Sequence, residues 1–183
     1  MSIPFALAIF DIDGVVRDVS GSYRRAIADT VEHFTQGHYR PSPTDIDQLK
    51  SEGIWNNDWK ASQELIQRHS KAVKTTYNSG YDSIVDYFQE RYRGAGDDPA
   101  QWTGYITQEP ILMTAEYLTN LANSGVPSAF FSGATRGSAN YVLQQRIGLT
   151  QPILVAMTDA PGKPDPTGLC MTVDQLEATV PAG

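Results

Sequence analysis

Three short polar clusters in this 183-residue chain carry the groups that could do chemistry. They are Asp11-Ile12-Asp13-Gly14, Ser132-Gly133-Ala134-Thr135 and Gly162-Lys163-Pro164-Asp165-Pro166. Two carboxylates one residue apart, a hydroxyl with free backbone amides and a lysine form a set suited to phosphoryl transfer. One carboxylate can attack phosphorus while a second handles the leaving group's proton. The hydroxyl, the amides and the ammonium offset charge on the phosphoryl oxygens. Gly162-Lys163 is not a nucleotide-cradling P-loop, because the Gly-x-x-x-x-Gly-Lys-Ser/Thr spacing is absent. Each cluster has a plainer reading as well. An acidic pair after a strand can cap or turn the chain, Ser132 can cap the helix that follows, and Lys163 can be a solvated loop residue.

All three clusters sit where an apolar run stops. Phe5 to Phe10 is apolar at every position and ends at Asp11, which suits a short parallel strand buried on both faces. Val126 to Phe131 ends at Ser132, and Ile153 to Met157 precedes the loop that holds Lys163. Between and after them, helical spacing predicts a helix from Pro110 to Asn123 with Leu112, Ala115, Leu118, Leu121 and Ala122 inward. A second covers Gly137 to Ile147, and a last one is marked by Leu169, Val173 and Leu176, with Cys170 as an inert core thiol. Strands alternating with helices imply a parallel sheet. In such sheets ligands bind beyond the carboxyl ends of the strands, so the three clusters are expected at one rim.

From Gly21 to about Trp102 the pattern is helical only. Ser22 heads a helix with Ala26, Ile27, Val31 and Phe34 on one face, and Ser42-Pro43-Thr44-Asp45 opens a second with Ile46 and Leu49. Asp58 caps a third through Ala61, Leu65 and Ile66, and Tyr81 to Tyr92 makes a fourth. The tyrosines and Trp55 and Trp59 read as packing residues, and His33, His38 and His69 lack metal-ligand spacing.

Composition narrows the partners. With 14 Lys+Arg against 21 Asp+Glu the formal charge is −7, which argues against a nucleic-acid binder. No apolar stretch approaches the roughly 20 residues that cross a bilayer, so no membrane partner is expected. One cysteine and no export signal make a cytoplasmic location the default.

The order and spacing of the clusters resemble the haloacid dehalogenase (HAD) superfamily. Asp11-Ile12-Asp13-Gly14-Val15-Val16 is similar to its first motif, Phe130-Phe131-Ser132 to its second, and Lys163 in Gly-Lys-Pro-Asp-Pro to its third. The helical insert resembles the cap of subfamily IA, which contains phosphoglycolate phosphatase and β-phosphoglucomutase. Residues 17–25, with Trp55-Asn56-Asn57-Asp58-Trp59, resemble an uncharacterised branch common in cyanobacteria. The resemblance implies an α/β fold, with a Rossmann-like parallel-sheet core from residues 1–16 and 109–183 and an all-helical cap from 17–108. It also implies a phosphomonoesterase acting on a small phosphorylated metabolite. Asp11 would be the nucleophile that forms an aspartyl-phosphate, and Asp13 would protonate the leaving oxygen and then activate water. Ser132 and the Gly133 amide would hold the phosphoryl group, and Lys163 would neutralise it together with Asp11. Mg²⁺ would bind the Asp11 carboxylate and the Asp13 main-chain carbonyl. Arg17, at the passage into the cap, and Asn56, Asn57 and Lys60, between cap helices, are the candidate substrate contacts; a plain turn accounts for the last three equally well.

The family's fourth motif, an acidic pair after a further strand, has no counterpart in Thr179-Val180-Pro181-Ala182-Gly183. Asp159 and Asp165 are the nearest substitutes. The core is therefore expected to be incomplete at its C-terminal side, leaving the edge and faces of the first strand bare. Such an edge invites pairing with another copy of the chain. Phosphatase activity of the chain by itself is expected to be weak. The rival expectation is a catalytically impaired relative that binds a phosphorylated ligand or a protein partner.

Overall fold

The computed structural model describes residues 6–179. The chain divides into two units: residues up to Val19 together with those from Pro110 onward, and the continuous stretch Ser20–Glu109.

The first unit is α/β. Its elements are β1 (Ala8–Phe10), α5 (Ala115–Asn123), β2 (Ser128–Phe131), α6 (Arg136–Asn140) running into a π-helical turn (Tyr141–Arg146), β3 (Leu154–Val155) and α7 (Thr167–Glu177). The strands form a parallel sheet in the order β1-β2-β3, with Phe10 opposite Phe130 and Phe131 opposite Val155. This is the parallel-sheet α/β core expected from the sequence. Residues 1–5, which the sequence reading assigns in part to the first strand, and residues 180–183 lie outside the described ones.

Central β2 buries Ala129 and Phe130 almost completely. β1 is only half-buried along its length, not buried on both faces as expected. Its position explains this: among the described residues it is an edge of the sheet. Apolar composition reports a strand's affinity for the core and says nothing of its rank in the sheet.

The predicted helix start at Pro110 is also corrected. The chain from Pro110 to Met113 pairs with the segment 16–18: Asp18 N–H donates to the Pro110 carbonyl at 2.8 Å, and Leu112 N–H to that of Val16 at 2.9 Å. The helix begins only at Ala115, where the Thr114 hydroxyl accepts from Tyr117 N–H. Leu112 is consequently exposed, and so is Ala122; Leu118 is the residue α5 buries.

In α7 the buried stripe is Gly168, Thr172 and Leu176, so Leu169 and Cys170 are exposed and Cys170 is not a core thiol. The phase is set by close approach to the sheet. A Cβ on Gly168 would come within 2.4 Å of the Phe131 ring. Thr172 tolerates burial because its hydroxyl donates to the Gly168 carbonyl at 2.7 Å.

The second unit is helical, as expected, with α1 (Tyr23–Phe34), α2 (Pro43–Lys50), α3 (Asp58–Val73) and α4 (Tyr81–Tyr92), followed by two 3₁₀ turns. Ala26, Ile27, Val31, Ile46, Leu49, Ala61, Ile66 and Ile84 fill its core. A capping box between Ser42 and Asp45, with Pro43 in the first turn, starts α2. The cap of α3 is Asn57, one residue before the Asp58 expected. Ser22 does not cap α1; its hydroxyl instead donates to the buried carboxylate of Glu109, which also accepts from the Tyr92 hydroxyl at 3.2 Å. His33 stacks on Tyr87 and His69 on Tyr39 and Tyr77, so these rings pack against one another. Among the described residues no helix is long and apolar enough to cross a membrane.

Candidate active site

The parallel register sets Phe10 opposite Phe130, so Asp11 and Ser132 leave the carboxyl ends of neighbouring strands one residue out of step. Strand alternation continues one step past β1. Ile12 is fully buried, which anchors the backbone and turns Asp11 and Asp13 to the opposite side. The turn then closes tightly. The Ile12 carbonyl accepts from Val16 N–H at 2.8 Å, and Gly14 N–H donates to the Arg17 carbonyl at 2.8 Å. Gly14 has φ +79°, a conformation glycine adopts without strain.

The lysine of the third cluster reaches the first. Lys163 Nζ lies 2.7 Å from Asp11 Oδ2, while Asp11 Oδ1 accepts from Ile12 N–H at 2.7 Å. Both side chains keep about two-fifths of their surface in solvent, 38% for the lysine and 41% for the aspartate. A pair so exposed contributes at most about 1 kcal/mol to folding. Its consequence is geometric: a cation and an accessible carboxylate oxygen share one corner of the rim. Lys163 is also aimed by Phe131, whose ring centroid lies 4.8 Å from Nζ. That ring rests on Gly168 of α7, so strand, helix and loop jointly fix the ammonium.

Asp13 is held differently. Arg17 Nε and Nη2 approach Asp13 Oδ1 at 2.8 and 2.7 Å. Arg17 itself is 1% exposed while the Asp13 side chain is 40% exposed. Arg17, a candidate substrate contact in the sequence, is thus buried against the Asp13 carboxylate. The opposite charges four residues apart were the available signal for this pair.

Ser132 is buried, its N–H bonded to the Val155 carbonyl at 3.0 Å and its Oγ accepting from Ala134 N–H at 3.1 Å. Gly133 is exposed, and a Cβ there would meet nothing within 4 Å. The helix cap that Ser132 could have provided falls to Thr135. Asp11, Asp13, Ser132, Gly133 and Lys163 thus all belong to the sheet-bearing unit. Asn56, Asn57 and Lys60 belong to the helical one. There Asn56 and Lys60 are exposed, and Asn57 Oδ1 accepts from Lys60 N–H at 3.0 Å.

Two further acids follow β3, and both are engaged. Asp159 accepts from Arg136 and from Ala156 N–H. Asp165 accepts from Thr167; hydrogen bonds from the Thr167 hydroxyl and then its N–H hold the Asp165 carboxyl below the usual carboxylate range. Among the described residues no three acidic, histidine or cysteine side chains gather as a metal-binding group. The ligands that the family resemblance implies for Mg²⁺, the Asp11 carboxylate and the Asp13 main-chain carbonyl, are both hard oxygen donors of the turn after β1. A pair of that kind fits an ion completed by water and by the oxygens of a phosphorylated ligand.

The comparisons with known proteins agree with the fold. A phosphatase from Thermococcus thioreducens superposes with a TM-score of 0.69 at 20% identity, covering 92% of this chain and 79% of its own. A HAD family hydrolase from Deinococcus radiodurans, solved with bound phosphate and sodium, gives 0.61 at 19% identity over 96% and 69%. These share the fold. An imidazoleglycerol-phosphate dehydratase of Phytophthora nicotianae is 27% identical over 179 residues, which is 96% of this chain and 37% of that protein. The chain therefore spans less than two-fifths of the length of this curated relative. Residues 5–182 match a family profile described as haloacid dehalogenase-like hydrolase. With nearly its whole length inside that match, the chain belongs to the haloacid dehalogenase-like hydrolases.

Proposed function

We propose that this hydrolase cleaves a small phosphomonoester through an aspartyl-phosphate on Asp11. The observation that supports the reading is the 2.7 Å approach of Lys163 Nζ to an accessible Asp11 oxygen. In the first step an Asp11 oxygen bonds to phosphorus and the bond to the ester oxygen breaks. The proton of a neutral Asp13 carboxyl passes to that oxygen, and the alcohol leaves. In the second step a water oxygen bonds to phosphorus, its proton returns to Asp13, and the bond to Asp11 breaks to release inorganic phosphate. Lys163 opposes the charge on the phosphoryl oxygens throughout, and Ser132 with the Gly133 amide orients them. The helical unit would act as the cap that selects the substrate.

Mg²⁺ is the ion this reading calls for, held by the Asp11 carboxylate and the Asp13 main-chain carbonyl. When bound it would add positive charge beside the phosphoryl group.

The test is phosphate release from a panel of phosphorylated metabolites with Mg²⁺, comparing the chain with Asp11→Asn. Loss of release in the variant, together with a hydroxylamine-sensitive phosphoryl adduct that only the parent forms, supports the reading. Undiminished release by Asp11→Asn overturns it.

A further inference from the structure

Arg17 is the largest fully buried side chain among the described residues. Removing a guanidinium from water is costly unless it is paired and hydrogen-bonded. This one lies against Asp13, a carboxylate that itself stays 40% exposed. The backbone of Arg17 is fixed from two sides. Its N–H donates to the Ile12 carbonyl at 3.2 Å and its carbonyl accepts from Gly14 N–H, while residue 17 also bridges Ile111. The guanidinium thus starts from a rigid base. Its Nε and Nη2 both approach Oδ1 of Asp13, and Asp13 Oδ2 has no partner among the described residues.

We infer that Arg17 is a positioning residue for Asp13: by taking Oδ1 with two N–H groups it leaves Oδ2 as the oxygen that carries the proton, and fixes its direction. This rests on the phosphoryl-transfer reading above. A half-exposed aspartate has rotamer freedom, and proton transfer to an ester oxygen requires a donor within hydrogen-bond reach. A buried fork restricts that freedom as a lysine, with its single point charge, would not. Nothing in the pairing calls for substrate contact by Arg17 itself.

The test exploits a leaving group that needs no proton. Single-turnover release of alcohol from glycerol phosphate is compared with release of dinitrophenolate from 2,4-dinitrophenyl phosphate. The proteins are the parent chain, Arg17→Met, Arg17→Lys, Asp13→Asn and the double variant Arg17→Met/Asp13→Asn. Arg17→Met is expected to slow the alkyl ester by about 10- to 100-fold, in the rate constant and not in KM. It leaves the dinitrophenyl ester within about twofold, and adds nothing in the Asp13→Asn background. Arg17→Lys recovers part of the loss, and it carries the same comparison if the methionine variant does not fold. Equal slowing of both esters by the Arg17 variants, with Asp13→Asn selective, overturns the role of Arg17 alone. An Asp13→Asn that spares the alkyl ester, or a parent chain inert to both, overturns the proposed function and this inference with it.

Discussion

Replacing Lys163 by methionine separates chemistry from folding in this site. The ammonium touches Asp11 at 2.7 Å and lies over Phe131 at 4.8 Å, with 38% of its side chain in solvent. The ion pair, screened by water, contributes at most about 1 kcal/mol, and an exposed cation–π contact about 0.5–1 kcal/mol. Methionine keeps an apolar stem against the ring, so the net loss in stability should not exceed about 1 kcal/mol. In a chain of this size that corresponds to a fall in Tm of roughly 2–4 °C. The chemical loss works on another scale. Removing a preorganised donor from a developing oxyanion costs about 10²- to 10³-fold in rate, or roughly 2.7–4 kcal/mol of transition-state stabilisation. Differential scanning fluorimetry and steady-state phosphate release on the same preparations measure the two effects side by side. A melting point lowered by far more than the stated range, with activity falling only in proportion to the unfolded fraction, would show Lys163 to be structural and refute the reasoning.

Three other outcomes follow from the geometry. Gly168→Ala should destabilise the sheet-bearing unit by about 1–3 kcal/mol through overpacking against Phe131, outweighing the helix propensity gained, as measured by urea unfolding. Mg²⁺ and inorganic phosphate should reinforce one another's binding by at least about fivefold, with equal factors in both directions, because each supplies part of the other's surroundings; calorimetric titrations that show independent binding would count against the shared site. In the helical unit, hydrogen bonds from Arg68 and then Trp55 hold the Glu52 carboxyl down to about 2 from its usual 4.5. A depressed folded value means that the contribution of Glu52 is complete above pH 4.5 and disappears as pH falls through about 2. An NMR titration of the Glu52 side-chain carbon should give a midpoint near 2, moving back up in Arg68→Gln.

The sequence carried the alternation of strands and helices because each element announces itself locally. The runs ending at Phe10 and Phe131 are apolar without a break, and Ser42-Pro43-Thr44-Asp45 holds a complete capping box within four residues. It failed where the deciding contact is remote. Nothing near Pro110 reveals that its carbonyl is taken by Asp18, across more than ninety residues of chain, so a sound N1 proline did not start a helix. The phase of α7 was misread because hydropathy counts Leu169 and Cys170 as core and ignores Gly168 and Thr172. The sheet selects the glycine for its missing Cβ and accepts the threonine because its hydroxyl is satisfied within the helix. At the site, the types and order of Asp11, Asp13, Ser132 and Lys163 were legible, and the approach of Lys163 to Asp11 followed from the topology of a parallel sheet. The burial of Arg17 was not legible, since opposite charges at i and i+4 read equally well as a solvated pair.

The four acids that follow the strands show how such a rim divides its charges. Asp159 and Asp165 each accept from a backbone N–H of their own loop, that of Ala156 for one and that of Thr167 for the other, and Asp159 also accepts from Arg136 at the start of α6. Asp11 and Asp13 each meet a cation with an anchor on a further element: Lys163 beside the Phe131 ring of β2, which faces α7, and Arg17, whose backbone bridges Ile111 as well as bonding within its own turn. A carboxylate bonded to its own turn moves with that turn and serves it. One gripped by an independently anchored cation has its direction fixed against the rest of the unit, which is what attack on phosphorus and delivery of a proton both demand. Exchanging the two kinds of partner should therefore exchange their sensitivities. Arg136→Gln should lower stability and leave the rate per folded molecule unchanged, whereas loss of Lys163 or Arg17 should lower that rate first.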